Sequence, residues 1–213
     1  MPSFPPDALM AAPVRRASCT TCLRPQSACI CRWIVPVSND IDVLILQHPA
    51  EVRHAKGSAR LLHLGLERSR IETGETFPEQ RLHALLHGPD DMPADPVLLY
   101  PPTPGMALPA APDTARPARP RRLRLVVLDA TWRKSLKMLH CNPMLQALPR
   151  LALNNPPSSA YLIRKARRAH QLSTLEATCH ALAQLERNPL RYRPLLAGFD
   201  GFVAQQLGFR TGR

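Results

Sequence analysis

A chain of 213 residues that is 45% hydrophobic can bury one sizeable core, since single domains commonly run to ~100–200 residues, and this excludes a disordered chain. Its apolar stretches are short, as in Leu125-Val126-Val127-Leu128, which excludes a membrane-crossing helix of ~20 apolar residues. Lys and Arg number 28 against 16 Asp and Glu, giving net +12, a balance that suits a phosphate-rich partner such as nucleic acid, while 5% aromatic residues are too few for an extended base-stacking platform.

The first 18 residues hold four prolines with Arg15 and Arg16 and no apolar run where a secretory signal needs one. A flexible tail over residues 1–17 and a cytoplasmic protein are expected. Cys19, Cys22, Cys29 and Cys31 follow in the spacing C-x2-C-x6-C-x-C. Two chelating pairs separated by a small loop can supply the thiolate tetrahedron that zinc requires, so a zinc knuckle is expected over residues 18–37. A disulfide pair or an iron–sulfur cluster is the alternative for the same four residues. Cys141 and Cys179 read as small apolar core residues.

Beyond the knuckle, apolar runs at Ile41–Gln47, Val97–Tyr100, Leu123–Leu128 and Tyr161–Ile163 read as buried strands. Helical periodicity marks Ser58–Glu67, Trp132–His140 and Ser173–Glu186, the last with Leu175, Cys179, Leu182 and Leu185 on one face. Near-continuous apolar strands alternating with helices indicate an α/β fold, a parallel sheet covered by helices on both faces. Residues 101–122 carry seven prolines and a basic end, an exposed insertion within a main domain spanning 38–213. Asn154–Ser158 reads as a turn.

In an open parallel sheet, ligands sit where the carboxyl ends of strands meet the following loops. Four such loops are candidates: Gln47 to Glu51 with His48, the Tyr100-Pro101-Pro102 segment, Asp129 to Trp132, and the basic stretch from Arg164 to Glu176. Asp129 to Trp132 closes the most apolar strand and brings a carboxylate, a hydroxyl and an indole to that edge. Spacing alone also allows Asp129 to be a helix cap and Trp132 an ordinary core residue. Ser173-x-x-Glu176 likewise has the form of a capping box.

At these residues the chain resembles the DTW-domain family, named for an Asp-x-Thr-Trp motif. The likeness runs in order through the cysteine cluster, Leu46 to Glu51, Lys56 to Leu61, Leu99-Tyr100-Pro101, Asp129-Ala130-Thr131-Trp132, Leu148-Pro149-Arg150, Ile163-Arg164-Lys165 and Ser173 to Ala177. The resemblance implies a SPOUT-like sheet knotted near its C-terminus, a topology that composition and periodicity do not reveal. It further implies a tRNA-uridine aminocarboxypropyltransferase, which moves the 3-amino-3-carboxypropyl group of S-adenosylmethionine to uridine N3 and releases methylthioadenosine.

On that reading Asp129, Thr131 and Trp132 are the expected catalytic residues. Asp129 would serve as base or uridine-orienting group, which calls for burial because an ordinary aspartate near ~3.9 is a feeble base at neutral pH. Trp132 would shape the pocket. Leu99, Tyr100, Pro101, Leu128, Leu148, Pro149, Ser173, Thr174 and Glu176 are expected around the S-adenosylmethionine donor. His48, Glu51, Arg60, Arg164, Lys165, Arg167 and Arg168 are expected toward tRNA, and one of the arginines could instead meet the donor's carboxylate. Zinc would be structural, since four cysteines leave no open coordination position. The expected protein is a monomer with no stable protein partner and no membrane association. A SPOUT methyltransferase acting on tRNA or rRNA and a non-catalytic zinc-containing RNA-binding protein are the competing expectations.

Overall fold

Five runs pair into one all-parallel sheet: β1 (Asp42–Gln47), β2 (Ser69–Thr73), β3 (Ala94–Leu99), β4 (Arg122–Asp129) and β5 (Arg150–Leu151), in the order β2-β1-β4-β3-β5. The computed structural model describes residues 17–89, 92–101, 122–153 and 172–211. The expected tail before residue 17, nearly all of the insertion 101–122, the strand expected at Tyr161–Ile163, the turn at Asn154–Ser158, and Arg164, Lys165, Arg167 and Arg168 lie outside these residues.

Side chains alternate across the three central strands because successive Cβ atoms point to opposite faces. Val43, Ile45, Val97, Leu125 and Val127 enter one core, with α1 (Ala59–Gly65), α5 (Thr174–Leu185) and α6 (Arg193–Thr211) packed over them. Leu44, Leu46, Leu98 and Val126 enter the other, under α2 (Glu79–His87), α3 (Trp132–Cys141) and α4 (Pro143–Gln146). The expected two-sided α/β sheet is therefore present among the described residues. β1, β3 and β4 fall on expected apolar runs, and α1, α3 and α5 on expected helices.

α2, α4, β2, β5 and α6 were not among the expected elements, and the last three escaped the periodicity reading for physical reasons. β2 is an edge strand with a half-exposed, charged sequence, Ser-Arg-Ile-Glu-Thr, so it shows no apolar run. β5 is two residues long. α6 carries Gly198, Gly201 and Gly208, which lower helix propensity. Two of these glycines answer to packing: a Cβ on Gly198 would strike the Trp33 carbonyl, and one on Gly201 would strike the Trp33 ring. Of the two solitary cysteines, Cys179 is buried as expected; Cys141, at the last turn of α3, is exposed and so is not a core residue.

The cysteine segment shares the larger core. Cys22 and Ile30 are buried in one cluster with Phe199 and Phe202 of α6. Arg24 stacks over Phe202 at 5.1 Å and donates to the carbonyls of Ala55 and Gly57, and Gln205 of α6 donates to the Cys29 carbonyl at 3.1 Å. Trp33 fills the groove its two glycines leave open. Gly201→Ala should therefore lower stability by about 1–3 kcal/mol through overpacking, while Gly208→Ala, whose added Cβ meets nothing within 4 Å, should leave stability equal or raise it by up to ~1 kcal/mol. Equal denaturation midpoints for the two variants would refute this account of Trp33.

Candidate active site

β1 and β4 lie side by side, yet the chain leaves them in opposite directions: α1 follows β1 on one face toward β2, and α3 and α4 follow β4 on the other face toward β5. Such a divergence opens a crevice at the carboxyl ends of the two strands. Gln47 and Asp129 are the terminal residues there and are register partners.

Asp129 is only 4% exposed, and both its carboxylate oxygens accept hydrogen bonds. Gln47 Nε2 donates to Oδ2 at 2.8 Å, and the Thr174 hydroxyl donates to Oδ1 at 2.7 Å. Thr174 is the first residue of α5, where Ser173 and Glu176 complete a reciprocal capping box: the Ser173 hydroxyl accepts from the Glu176 amide at 3.2 Å, and the Glu176 carboxylate accepts from the Ser173 amide at 2.7 Å. The Leu175 amide donates to the Ser58 hydroxyl at the start of α1.

Beside this clamp lies a cavity of about 360 Å³, lined by Tyr100, Pro101, Trp132 and Ser135 together with Leu99, Val127, Leu128, Leu151 and Ala177. Its size lies within the range of small-molecule sites. Among the described residues no lining side chain is charged, and the polar ones are Tyr100, Trp132, Ser135, Ser173 and Thr174. Trp132 is 51% exposed and meets the Tyr100 ring edge-on at 5.4 Å; the Tyr100 hydroxyl and that of Ser135 lie 3.1 Å apart. Burial pushes the Tyr100 hydroxyl above its ordinary range, so it serves as a neutral group.

Of the residues expected around the donor, Leu99, Tyr100, Pro101, Leu128, Ser173 and Thr174 line this cavity. Leu148 instead belongs to the core, the Pro149 carbonyl accepts from the Leu98 amide, and Glu176 is buried in its capping box, so these three stand back from it. Trp132 lines the cavity, whereas Asp129 and Thr131 support its edge. Val127, Ala130, Ser135, Leu151 to Leu153, Leu172 and Ala177 also line it and were not foreseen. The adjacent Leu148-Pro149-Arg150 motif was the available signal for the β5 residues.

The residues expected toward tRNA separate in the same way. Glu51 is 3% exposed, with Lys134 Nζ 3.3 Å from its Oε1, so its carboxylate is buried against α3. His48 Nδ1 accepts from the Ala50 amide, so its Nε2–H points to Glu75 at 2.9 Å. Glu75 is also paired with Lys137 at 2.8 Å; these two partners, Lys137 first, hold its carboxyl below the usual range. Arg60 Nη2 donates to the Thr21 carbonyl at 2.7 Å, joining α1 to the cysteine segment.

The four clustered sulfurs lie within 4.8 Å of one another, with Cys19 and Cys31 3.5 Å apart and Cys22 and Cys29 3.7 Å apart. All four thiols are free. Tetrahedral Zn–S bonds of ~2.3 Å imply sulfur separations near ~3.8 Å, so the set fits that ion. Hydrogen bonds from the Cys22 and Thr21 backbone draw the Cys19 thiol down to about 6, while burial, then the neighbouring sulfurs, pushes Cys31 up to about 12.

A model of the DTW domain matches residues 16–207. The chain belongs to the DTW-domain family. It is 34% identical over 181 residues to the Drosophila melanogaster tRNA-uridine aminocarboxypropyltransferase 2, covering 83% of this chain and 70% of that protein. Proteins of the same name from Macaca fascicularis and Mus musculus are 27% and 28% identical over 91% and 94% of this chain, which spans 64% and 68% of their lengths. No solved structure matches the chain. In this DTW-domain protein the motif closes β4 at the crevice, and the cysteine cluster is the metal-binding candidate. Cys29→Ser should reduce bound zinc from about one per chain to a small fraction, and undiminished zinc by elemental analysis would contradict the four-sulfur assignment.

Proposed function

We propose that the protein transfers the 3-amino-3-carboxypropyl group of S-adenosylmethionine to N3 of a uridine in tRNA. The observation that carries this reading is the match of the DTW domain across nearly the whole chain, with its motif at a cavity rim and relatives named for that activity. S-adenosylmethionine, when bound, supplies a γ-carbon open to attack and departs as methylthioadenosine. The uridine N3 loses its proton and forms the new bond. The apolar cavity at the ends of β3, β4 and β5 takes the adenosine part, and the positive balance of the chain draws the tRNA backbone. Zinc in the four-cysteine site acts structurally. A SPOUT-type knot belongs to the same reading and is consistent with an all-parallel sheet covered on both faces.

Transfer depends on placement, since holding the γ-carbon in line with N3 converts binding into rate. In this reading Trp132 offers its half-exposed indole to the incoming uridine, where stacking contributes about 1–3 kcal/mol per base. Asp129 has the burial expected of a base, but the donors on both oxygens suit an orienting carboxylate that sets Thr174 at the cavity rim. Thr131 shapes the turn between β4 and α3.

Asp129→Asn preserves shape, because the Gln47 amide and the Thr174 hydroxyl can each reverse their bonds. It should lower transfer by at least ~100-fold where the carboxylate itself takes the N3 proton and by only several-fold where it orients Thr174, with S-adenosylhomocysteine affinity kept within several-fold. Unchanged turnover would remove Asp129 from the mechanism. The reaction itself is tested with purified protein, bulk tRNA and S-adenosylmethionine labelled in either the methyl or the carboxyl group. Carboxyl label alone should enter tRNA; methyl label alone would establish a methyltransferase, and transfer of neither label would favour an RNA-binding role.

A further inference from the structure

Arg150, the first residue of β5, stands behind the cavity wall, outside its lining, and has no counter-charge among the described residues. Its guanidinium carbon lies 5.2 Å from the centre of the Tyr100 ring, and that ring is a cavity wall. The next residues along the chain, Leu151 and Ala152, line the same cavity. Nη1 of Arg150 is buried with no hydrogen-bond partner among the described residues. A buried donor left unmade is costly even on a side chain that, like this one, is partly exposed. Burial accordingly pulls this guanidinium below its ordinary pKa, with Tyr100 opposing. The stacking contact orients the planar fork but supplies no hydrogen-bond acceptor to Nη1.

The cavity poses the complementary problem. Its described lining carries no charged side chain, yet the donor required by the proposed reaction ends in an amine and a carboxylate. A planar guanidinium matches a carboxylate with two parallel bonds. We infer that Arg150 holds the α-carboxylate of the donor's aminocarboxypropyl arm, and so directs the γ-carbon rather than the methyl carbon toward the uridine. This rests on the transferase reading above.

During transfer the bond between sulfur and the γ-carbon breaks with its electron pair going to sulfur. The N3 lone pair, freed as the N3 proton passes to solvent water, forms the new bond to that carbon. The carboxylate keeps its charge from start to finish, so Arg150 contributes orientation, fixing the far end of the arm while its middle reacts. A tRNA phosphate is less well matched: the unmet nitrogen is buried beside an aromatic wall, whereas phosphates are met by exposed cations.

The test compares three ligands by equilibrium titration of the whole protein: S-adenosylhomocysteine, which has the full arm; decarboxylated S-adenosylmethionine, which lacks only the carboxylate from its arm; and methylthioadenosine, which lacks the arm. Arg150→Met keeps an apolar stem over Tyr100. It should weaken S-adenosylhomocysteine by ~10–100-fold, the range of a charge-assisted hydrogen bond, and leave the other two within ~2-fold. Arg150→Lys should recover part of the loss. Equal weakening of all three ligands would make Arg150 a structural wall residue and overturn the inference. Unchanged S-adenosylhomocysteine binding would also overturn it, and weakened tRNA binding alongside would identify a phosphate contact instead. Wild-type protein that binds none of the three would refute the donor reading itself, and the Arg150 assignment with it.

Discussion

The carboxylate of Asp129 joins three parts of the molecule that are distant in sequence. It ends β4, receives the Gln47 amide from β1, and receives the Thr174 hydroxyl from the start of α5. A buried carboxylate is tolerable only with such donors around it, because desolvation without hydrogen bonds costs several kcal/mol. The same requirement fixes geometry. With two donors at 2.7–2.8 Å, the rim formed by Thr174 cannot drift relative to the crevice between β1 and β4.

A second set of contacts leads from the cysteine cluster to that clamp. Arg24 and Arg60 tie the cysteine segment to residues 55–60, the first by donating to Ala55 and Gly57 and the second by donating to Thr21. Ser58, within that loop, accepts from the Leu175 amide, and Leu175 adjoins Thr174. Metal at the four sulfurs would therefore steady a loop that bears on the start of α5, beside the Asp129 clamp. On the opposite face, the pairs from α3 to Glu51 and Glu75 hold the segments after β1 and β2 against the helix that carries Trp132. Both arrangements suit a site whose chemistry depends on placement of one carbon.

Much of this was legible in the chain itself. The apolar runs of β1, β3 and β4 announce strands buried on both sides, since only full burial removes the polar alternation. The Ser173 to Glu176 capping box is readable because its bonds join residues three apart. The C-x2-C-x6-C-x-C spacing predicts convergent sulfurs for a similar reason: short loops cannot carry their ends far apart. Asp129 and Trp132 were legible as a pair at a strand end, although spacing left cap and core readings open.

The order of strands, the partners of Asp129 and the roles of the charged side chains were decided by tertiary structure. Glu51 and His48 read as surface groups facing RNA, but their surroundings include Lys134 and Glu75, 83 and 27 residues away along the chain. Arg60 meets Thr21 instead of open solvent for the same reason. β2 and α6 were hidden because an edge strand needs no apolar run and because the α6 glycines trade helix propensity for contact with Trp33. Local pattern determines which elements form and which faces are apolar, through forces acting over a few residues. The cavity, and the unmet arginine beside it, arise only when the sheet brings distant segments to one edge.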